Sequence, residues 1–183
     1  MLEKYAVVRA IKTILTHPNR RFSITGLAKE AGMAPSAAKY ALDYMKAEEL
    51  VTLEIIGRTH QYKADLGSFL ARQWKILFSM QEIRKGRLVE DIAENMENVT
   101  SILLYGSIAA GTDDEKSDVD IIVVADTRKT RGAFGKAAIG GRELNVQVYT
   151  PMEWRRKASM DKAFYDNVIL NSIALYGQKP VVL

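Results

Sequence analysis

Apolar residues recur at helical spacing along the first third of the chain and then give way to alternation. Over residues 4–16, Val7, Val8, Ile11, Ile14 and Leu15 share one helical face, and His17-Pro18-Asn19 stops the helix with His17 as its C-terminal cap. Arg21-Phe22-Ser23-Ile24 reads as a short extended piece. A brief helix follows over 26–31, with Thr25 as N-cap and Gly32 as the turn. Pro35 opens a third helix, where its missing N–H is not needed, and Ala38, Ala41, Leu42 and Met45 form the buried stripe that reaches Leu50. Residues 51–56 and 60–64 then read as two strands joined around Gly57-Arg58-Thr59.

Beyond residue 65 the pattern changes twice. Residues 66–85 form an amphipathic stretch with Phe69, Leu70, Trp74, Leu77, Phe78 and Met80, suited to a helical connector that packs between modules. A helix over 87–96 turns Leu88, Ile92 and Met96 inward and leaves Glu90, Asp91, Glu94 and Glu97 as a solvated face. Ile102 to Tyr105 is an apolar run of buried-strand type, and Ile121 to Val124 is a second. Over 143–149 strict alternation sends Leu144, Val146 and Val148 to one face and Glu143, Asn145, Gln147 and Tyr149 to the other. Pro151 starts a helix with Trp154 buried, and 164–176 reads as a last helix, with Val168, Ile169, Ile173 and Leu175 packing on the sheet and Gly177 ending it.

The chain has 183 residues, long for one ordinary domain and short for two full-sized ones; the shifts in periodicity divide it into two small modules. An apolar share of 48% is enough for buried cores and excludes the disordered and collagen-like classes. The absence of Cys rules out disulfides, thiolate zinc sites and cysteine nucleophiles, and two His residues, His17 and His60, argue against histidine-rich metal sites. Apolar runs such as 121–125 fall far short of the roughly 18–20 residues a membrane span needs, and the start of the chain lacks the pattern of a signal peptide. A soluble cytoplasmic protein is expected. The net charge is +4, with ten basic against seven acidic residues up to Asp65 and sixteen against fifteen after it. The surplus therefore sits on the first module, where it permits nucleic-acid binding.

Chemistry concentrates in SILLYGSIAAGTDDEKSDVDIIVVAD, residues 101–126. Gly106-Ser107 turns the first strand into a brief helical piece over 108–110, closed by Gly111; its free N–H groups and the Ser107 hydroxyl make an anion cradle that suits phosphate. After an acidic loop, Ser117-Asp118-Val119-Asp120 opens the second strand, and alternation turns Asp118 and Asp120 to one side, about 7 Å apart along it. Two carboxylates beside a phosphate cradle suit a hard divalent cation bridging triphosphate oxygens. Magnesium is the expected ion. Arg128, Lys129, Arg131, Gly132 and Lys136 form a basic segment that either meets phosphates or the acceptor, or is a solvated loop.

The arrangement LAKEAGMAPSAAKYALDYMKAEELV followed by a basic hairpin tip resembles the winged helix-turn-helix of small regulators. That resemblance implies a third helix in the major groove of double-stranded DNA, with Ser36, Lys39 and Tyr40 as helix contacts and Arg58, His60 and Lys63 as hairpin contacts; such modules also serve in dimerisation and protein docking. The joint pattern of Gly106, Ser107, Gly111, Ser117, Asp118 and Asp120 resembles the nucleotidyltransferase superfamily of DNA polymerase beta, within it the minimal nucleotidyltransferases, and the leading winged helix resembles a group of largely archaeal prokaryotic proteins. The resemblance implies a small mixed sheet with packed helices. It implies further that Gly106, Ser107, Gly111 and Ser117 bind the nucleotide, and that Asp118 and Asp120 hold Mg2+ or Mn2+ for transfer of a nucleotidyl group from an NTP such as ATP.

The family adds a third carboxylate on a later strand, and the matching position is Asn145, with Glu143 two residues earlier on the same face. Ala110 stands where many relatives carry Arg. The expected fold class is α+β: a winged helix-turn-helix at 1–65, a helical connector at 66–87 and a nucleotidyltransferase-like domain at 88–183. Three functions follow as expectations: an enzyme that transfers NMP to a hydroxyl, on a protein acceptor or toxin partner among others; a transcriptional regulator that binds a nucleotide without transferring it; and an interaction protein whose winged helix forms a homodimer.

Overall fold

A computed structural model describes residues 4–130 and 140–182, so Arg131, Gly132 and Lys136 of the basic segment lie outside the described residues. The chain divides into two compact units, Met1–Phe78 and Ser79–Leu183.

In the first unit, α1 (Ala6–Thr16), α2 (Ile24–Glu30) and α3 (Pro35–Ala47) precede a hairpin of β1 (Val51–Ile56) and β2 (Thr59–Ala64). The three helices meet through the stripes their periodicity predicts: Ile11, Ile14 and Leu15 of α1, Leu27 of α2, and Leu42 and Met45 of α3 are fully buried in one core. The cap of α2 differs from the expectation. Ser23, not Thr25, has the extended N-cap backbone, and its Oγ accepts from the Gly26 N–H at 3.1 Å, so the helix begins at Ile24. Residue 22 is extended as expected: Phe22 pairs with Tyr62 through two backbone hydrogen bonds of 2.8 and 2.9 Å, a single rung added to the hairpin. Gly57, at φ +62°, takes the first central position of the two-residue turn, where L side chains are strained. His17 caps α1 with its backbone N–H on Ile14 O, while its Nδ1 lies 3.0 Å from Thr13 O.

Helix α4 (Phe69–Lys85) belongs to both units along its length. Ala71, Trp74 and Phe78 pack on the first core, and Met80 and Ile83 on the second. One feature of α4 had no sequence signal: Lys75 is buried and donates from Nζ to Leu15 O at 2.8 Å, covering a carbonyl of the last turn of α1.

The second unit continues with α5 (Leu88–Asn95), β3 (Val99–Tyr105), α6 (Gly106–Ala110), β4 (Val119–Ala125), β5 (Leu144–Tyr149), α7 (Pro151–Met160), α8 (Lys162–Asn171) and β6 (Ile173–Gly177). Its sheet runs in the order β5-β4-β3-β6, with β4 and β5 parallel and the other pairs antiparallel. Both faces are covered, which is why β3 and β4 read as unbroken apolar runs. Ile102, Leu104, Ile121 and Val123 face Leu88 and Ile92 of α5; Leu103, Ile122 and Val124 face Trp154, Tyr165 and Val168 of α7 and α8. The single helix expected over 164–176 is corrected. It stops at Asn171, and Ile173–Gly177 is an edge strand on β3, because Ile173 and Leu175 reach the α5-side core by alternation while Val168 reaches the opposite core from a helix.

Candidate active site

The site forms where β3, β4 and β5 come to the same end of the sheet. Strand β3 ends at Tyr105, and Gly106 turns the chain into α6 at φ +75°. A Cβ on Gly106 would lie 2.5 Å from Asp120 Oδ2, so only glycine allows the backbone of this turn to approach the carboxylate. Gly111, also left-handed at φ +67°, closes α6 with its N–H on Ile108 O and Ser107 O, and Thr112 N–H donates to Ser107 O at 2.9 Å. Ser107 is half-buried behind this turn.

The acidic loop is folded on itself. Asp114 Oδ1 accepts from the Lys116 N–H and the Ser117 hydroxyl, both at 3.0 Å, which holds its carboxyl below the usual range, the backbone bond from Lys116 being the largest cause. Ser117 therefore directs its hydroxyl to Asp114, while its Oγ accepts from the Asp114 N–H at 2.9 Å. Asp113, nearly fully buried, pairs with Arg142 Nη2 at 2.7 Å, and Val119 N–H donates to Glu143 O at 2.8 Å. These contacts tie the loop to the start of β5.

Asp118 is exposed just before β4, and Asp120 is half-buried within it. In register, Asp120 stands between Tyr105 of β3 and Asn145 of β5. Asn145 Nδ2 donates to Asp120 Oδ1 at 3.0 Å, and Glu143 is exposed. Among the described residues no three acidic or imidazole side chains gather in one place. The oxygen donors that a cation here would meet are the carboxylates of Asp118 and Asp120 and, were its amide turned over, the Asn145 oxygen. All of these are hard oxygen donors of the kind Mg2+ takes. The bare Gly106 Cα beside Asp120 Oδ2 leaves room at the carboxylate that a Cβ would fill. The residues present fit a divalent cation.

A polar chain lies behind Asp120 on the same sheet face. Gln147 Nε2 donates to Tyr105 Oη at 2.8 Å, and Tyr149 Oη donates to Gln147 Oε1 at 2.8 Å. Burial, with the Asp120 and Tyr149 charges adding to it, pushes the Tyr105 phenol up to about 12. A cavity of about 280 Å³ opens beside the turn, between Gly106, Ser107 and Thr112 on one side and Asn167 and Asn171 of α8 on the other. Sequence reasoning missed Asp113, Arg142, Asn167 and Asn171. For the last two, the only available signal was a pair of amides four residues apart on one helix.

In the first unit, Ser36, Lys39 and Tyr40 are exposed along α3, Arg58 and His60 are exposed at the hairpin, and Lys63 is half-buried on β2. Lys39 Nζ is bound to Asp43 Oδ2 at 2.7 Å, a hydrogen bond that raises its pKa.

A glycine-serine turn gripping a strand-borne aspartate, on a mixed sheet with helices on both faces, defines a nucleotidyltransferase-type domain. Residues 87–180, just over half of the chain, match the polymerase beta nucleotidyltransferase family, and the chain belongs to that family. Among solved structures, it is similar to Sso10a-2, a DNA-binding protein from Sulfolobus solfataricus, at 17% identity and a TM-score of 0.36, over 48% of this chain and 92% of that one. No curated protein matches the chain. No described helix is long and apolar enough to cross a membrane.

Proposed function

We propose that the protein is a metal-dependent nucleotidyltransferase that moves NMP from an NTP to a hydroxyl acceptor and carries a DNA-binding winged helix at residues 1–65, with 66–87 as connector and 88–183 as the transferase domain. The observation that carries the reading is the packing of Gly106 against Asp120, which brings a phosphate-binding turn and a metal-type carboxylate into contact. Ser107 and the backbone N–H groups of the turn bind the phosphates. Asp118 and Asp120 would hold Mg2+ or Mn2+, which when bound withdraws charge from the phosphate oxygens. The acceptor oxygen bonds to the α-phosphorus as the bond to pyrophosphate breaks. Asn145 takes no proton, so the hydroxyl proton goes to Asp120, Glu143 or solvent.

The test is incubation of the full chain with radiolabelled ATP or CTP, Mg2+ and a cell lysate. Label should enter an acceptor, and Asp118→Ala with Asp120→Ala should abolish it. No labelling under any NTP would sink the enzyme reading.

A second reading is favoured by one observation, the Asn145 amide bonded to Asp120 where the family places a carboxylate. Here the domain binds a nucleotide as effector and a transcriptional regulator results. Asn145→Asp separates the two: under the second reading wild type binds MgATP without turnover, and the substitution raises labelling by on the order of tenfold or more, the scale of one lost charge contact. DNA binding rests on the exposed face of α3 with Arg58 and His60. It requires affinity for duplex DNA that rises steeply as salt falls.

A further inference from the structure

Another cavity, of about 380 Å³, lies toward the end of the sheet away from Asp120, and its volume is in the ordinary range for small-molecule sites. Arg128 reaches it from the chain after β4, Tyr149 from the end of β5, and the rest of the lining comes from α7 and its C-cap. Tyr149 stands four residues beyond Asn145 on β5, roughly 13 Å of strand. The cavity shares no residue with the glycine-serine turn or the aspartates.

Its charges do not cancel, because both carboxylates serve as helix caps. Glu153 Oε2 accepts from the Thr150 N–H at 2.8 Å and from the Thr150 hydroxyl at 3.0 Å at the start of α7. Asp161 Oδ1 accepts from the Phe164 N–H at 3.3 Å at the start of α8. Both carboxyls are held below the usual range, Glu153 first by the Thr150 N–H and Asp161 first by Lys157. The cations are only partly engaged. Arg128 gives Nε to Glu153 at 3.0 Å and keeps both NH2 groups, and Lys157 gives one N–H to Asp161 at 2.6 Å and keeps two. Arg156 gives Nε to Met160 Sδ at 3.1 Å and, among the described residues, pairs with no carboxylate. Three cations thus meet two carboxylates that are already engaged, which leaves the cavity short of an anion.

The remaining lining is the Tyr149 ring and the Met160 thioether. Tyr149 is fixed by its hydroxyl on Gln147 at 2.8 Å and by an edge-to-face contact with Trp154, ring centroids 5.5 Å apart. A held ring and a thioether suit a planar apolar group, and guanidinium forks suit a carboxylate or a phosphate. We propose that this cavity binds a small organic anion, a carboxylate or phosphate monoester carried on a flat apolar group. The anion lies on Arg156 and Arg128, and the apolar body on Tyr149 and Met160. The site is separate from the nucleotide site and does not depend on the transferase reading.

Calorimetry on the full chain without Mg2+ tests it with phenyl phosphate, benzoate, inorganic phosphate and benzamide. Phenyl phosphate, benzoate or both should bind, and whichever binds tells a phosphate ligand from a carboxylate one. Inorganic phosphate lacks the apolar body and benzamide lacks the charge, so each should bind more weakly by on the order of tenfold. Arg156→Gln should weaken the bound probe by on the order of tenfold, the scale of one charge-assisted hydrogen bond. Arg156 is exposed and in no ion pair, so the variant should fold. Arg155→Gln removes the same charge from an exposed neighbour outside the lining and should leave affinity unchanged, as should saturating MgATP. No binding of either aromatic anion, or equally tight binding of inorganic phosphate or benzamide, overturns the site. Equal losses in the two arginine variants reduce it to general charge attraction, and displacement by MgATP puts the probe on the nucleotide turn; either result overturns it as well. The nucleotide reading stands in each case.

Discussion

On the first unit, the side chains expected to meet DNA stand out from the surface: Ser36, Lys39, Tyr40, Arg58 and His60 are all exposed, and Lys39 is already engaged by Asp43. In the second unit, Asp120 is half-buried between Tyr105 and Asn145, with a glycine Cα pressed against its carboxylate and a chain of amide and phenol groups behind it. A surface that meets a charged polymer gathers affinity from many weak, screened contacts and tolerates single changes. A recessed site depends on a few atoms held close, so one methyl group can abolish it. The contrast predicts that single substitutions act on different scales in the two units.

The largest effect is expected at Gly106. Valine there forces a β-branched residue to φ +75° and drives a Cβ into the space 2.5 Å from Asp120 Oδ2. The strain alone costs about 1–3 kcal/mol, and displacement of Asp120 adds to it. Gly106→Val should lower MgATP affinity on the order of a hundredfold, while binding of the same preparation to duplex DNA is unchanged. Retention of ATP affinity in a folded variant would show that the turn and the carboxylate do not act together.

A smaller effect is expected on the exposed face. Arg58→Ala removes one unpaired cation from the hairpin turn and should lower the slope of log affinity against log salt by about 1, weakening all duplexes alike. Lys39→Ala should change the slope less, because Asp43 goes unpaired at the same time and repels phosphate. If Lys39 proves the stronger contact, Asp43 releases it on binding, and α3 lies closer to the duplex than the hairpin does.

How much of this was legible in the sequence follows the same division. Period-2 alternation identified the faces of β5, and the register then set Asn145 beside Asp120; the apolar runs of β3 and β4 marked a sheet covered on both sides. Local signals failed where two were in competition. Ser23 and Thr25 are both acceptable N-caps, and the choice fell to Ser23 because Phe22 is pinned to Tyr62 just before it. Ile173-Ala174-Leu175-Tyr176 is too short for its period to separate strand from helix, and the open edge of β3 decided it. The Asp113–Arg142 pair joins residues 29 apart, and Asn167 reaches the cavity only because α8 folds beside α6. No local pattern carries either fact.

The smallest effect tests whether the packing behind Asp120 is as tight as the distances imply. The Tyr105 phenol is pushed from an ordinary value of 10.0 up to about 12, by burial first and by the neighbouring Asp120 charge second. The folded value lies above the unfolded one, so the neutral phenol contributes stability that is fully present below pH 10 and is lost as the pH rises toward 12. Tyr105 is only partly buried, so the loss should be modest. Denaturant unfolding across that window should show stability falling in wild type and falling less in Tyr105→Phe. Ultraviolet titration of the 8 tyrosines should show a late-ionising component that the same substitution removes. If stability falls with pH as steeply in Tyr105→Phe as in wild type, and the phenol lost from the titration ionises with the others near 10, solvent reaches the Tyr105 hydroxyl freely and the packing behind Asp120 is looser than the distances imply.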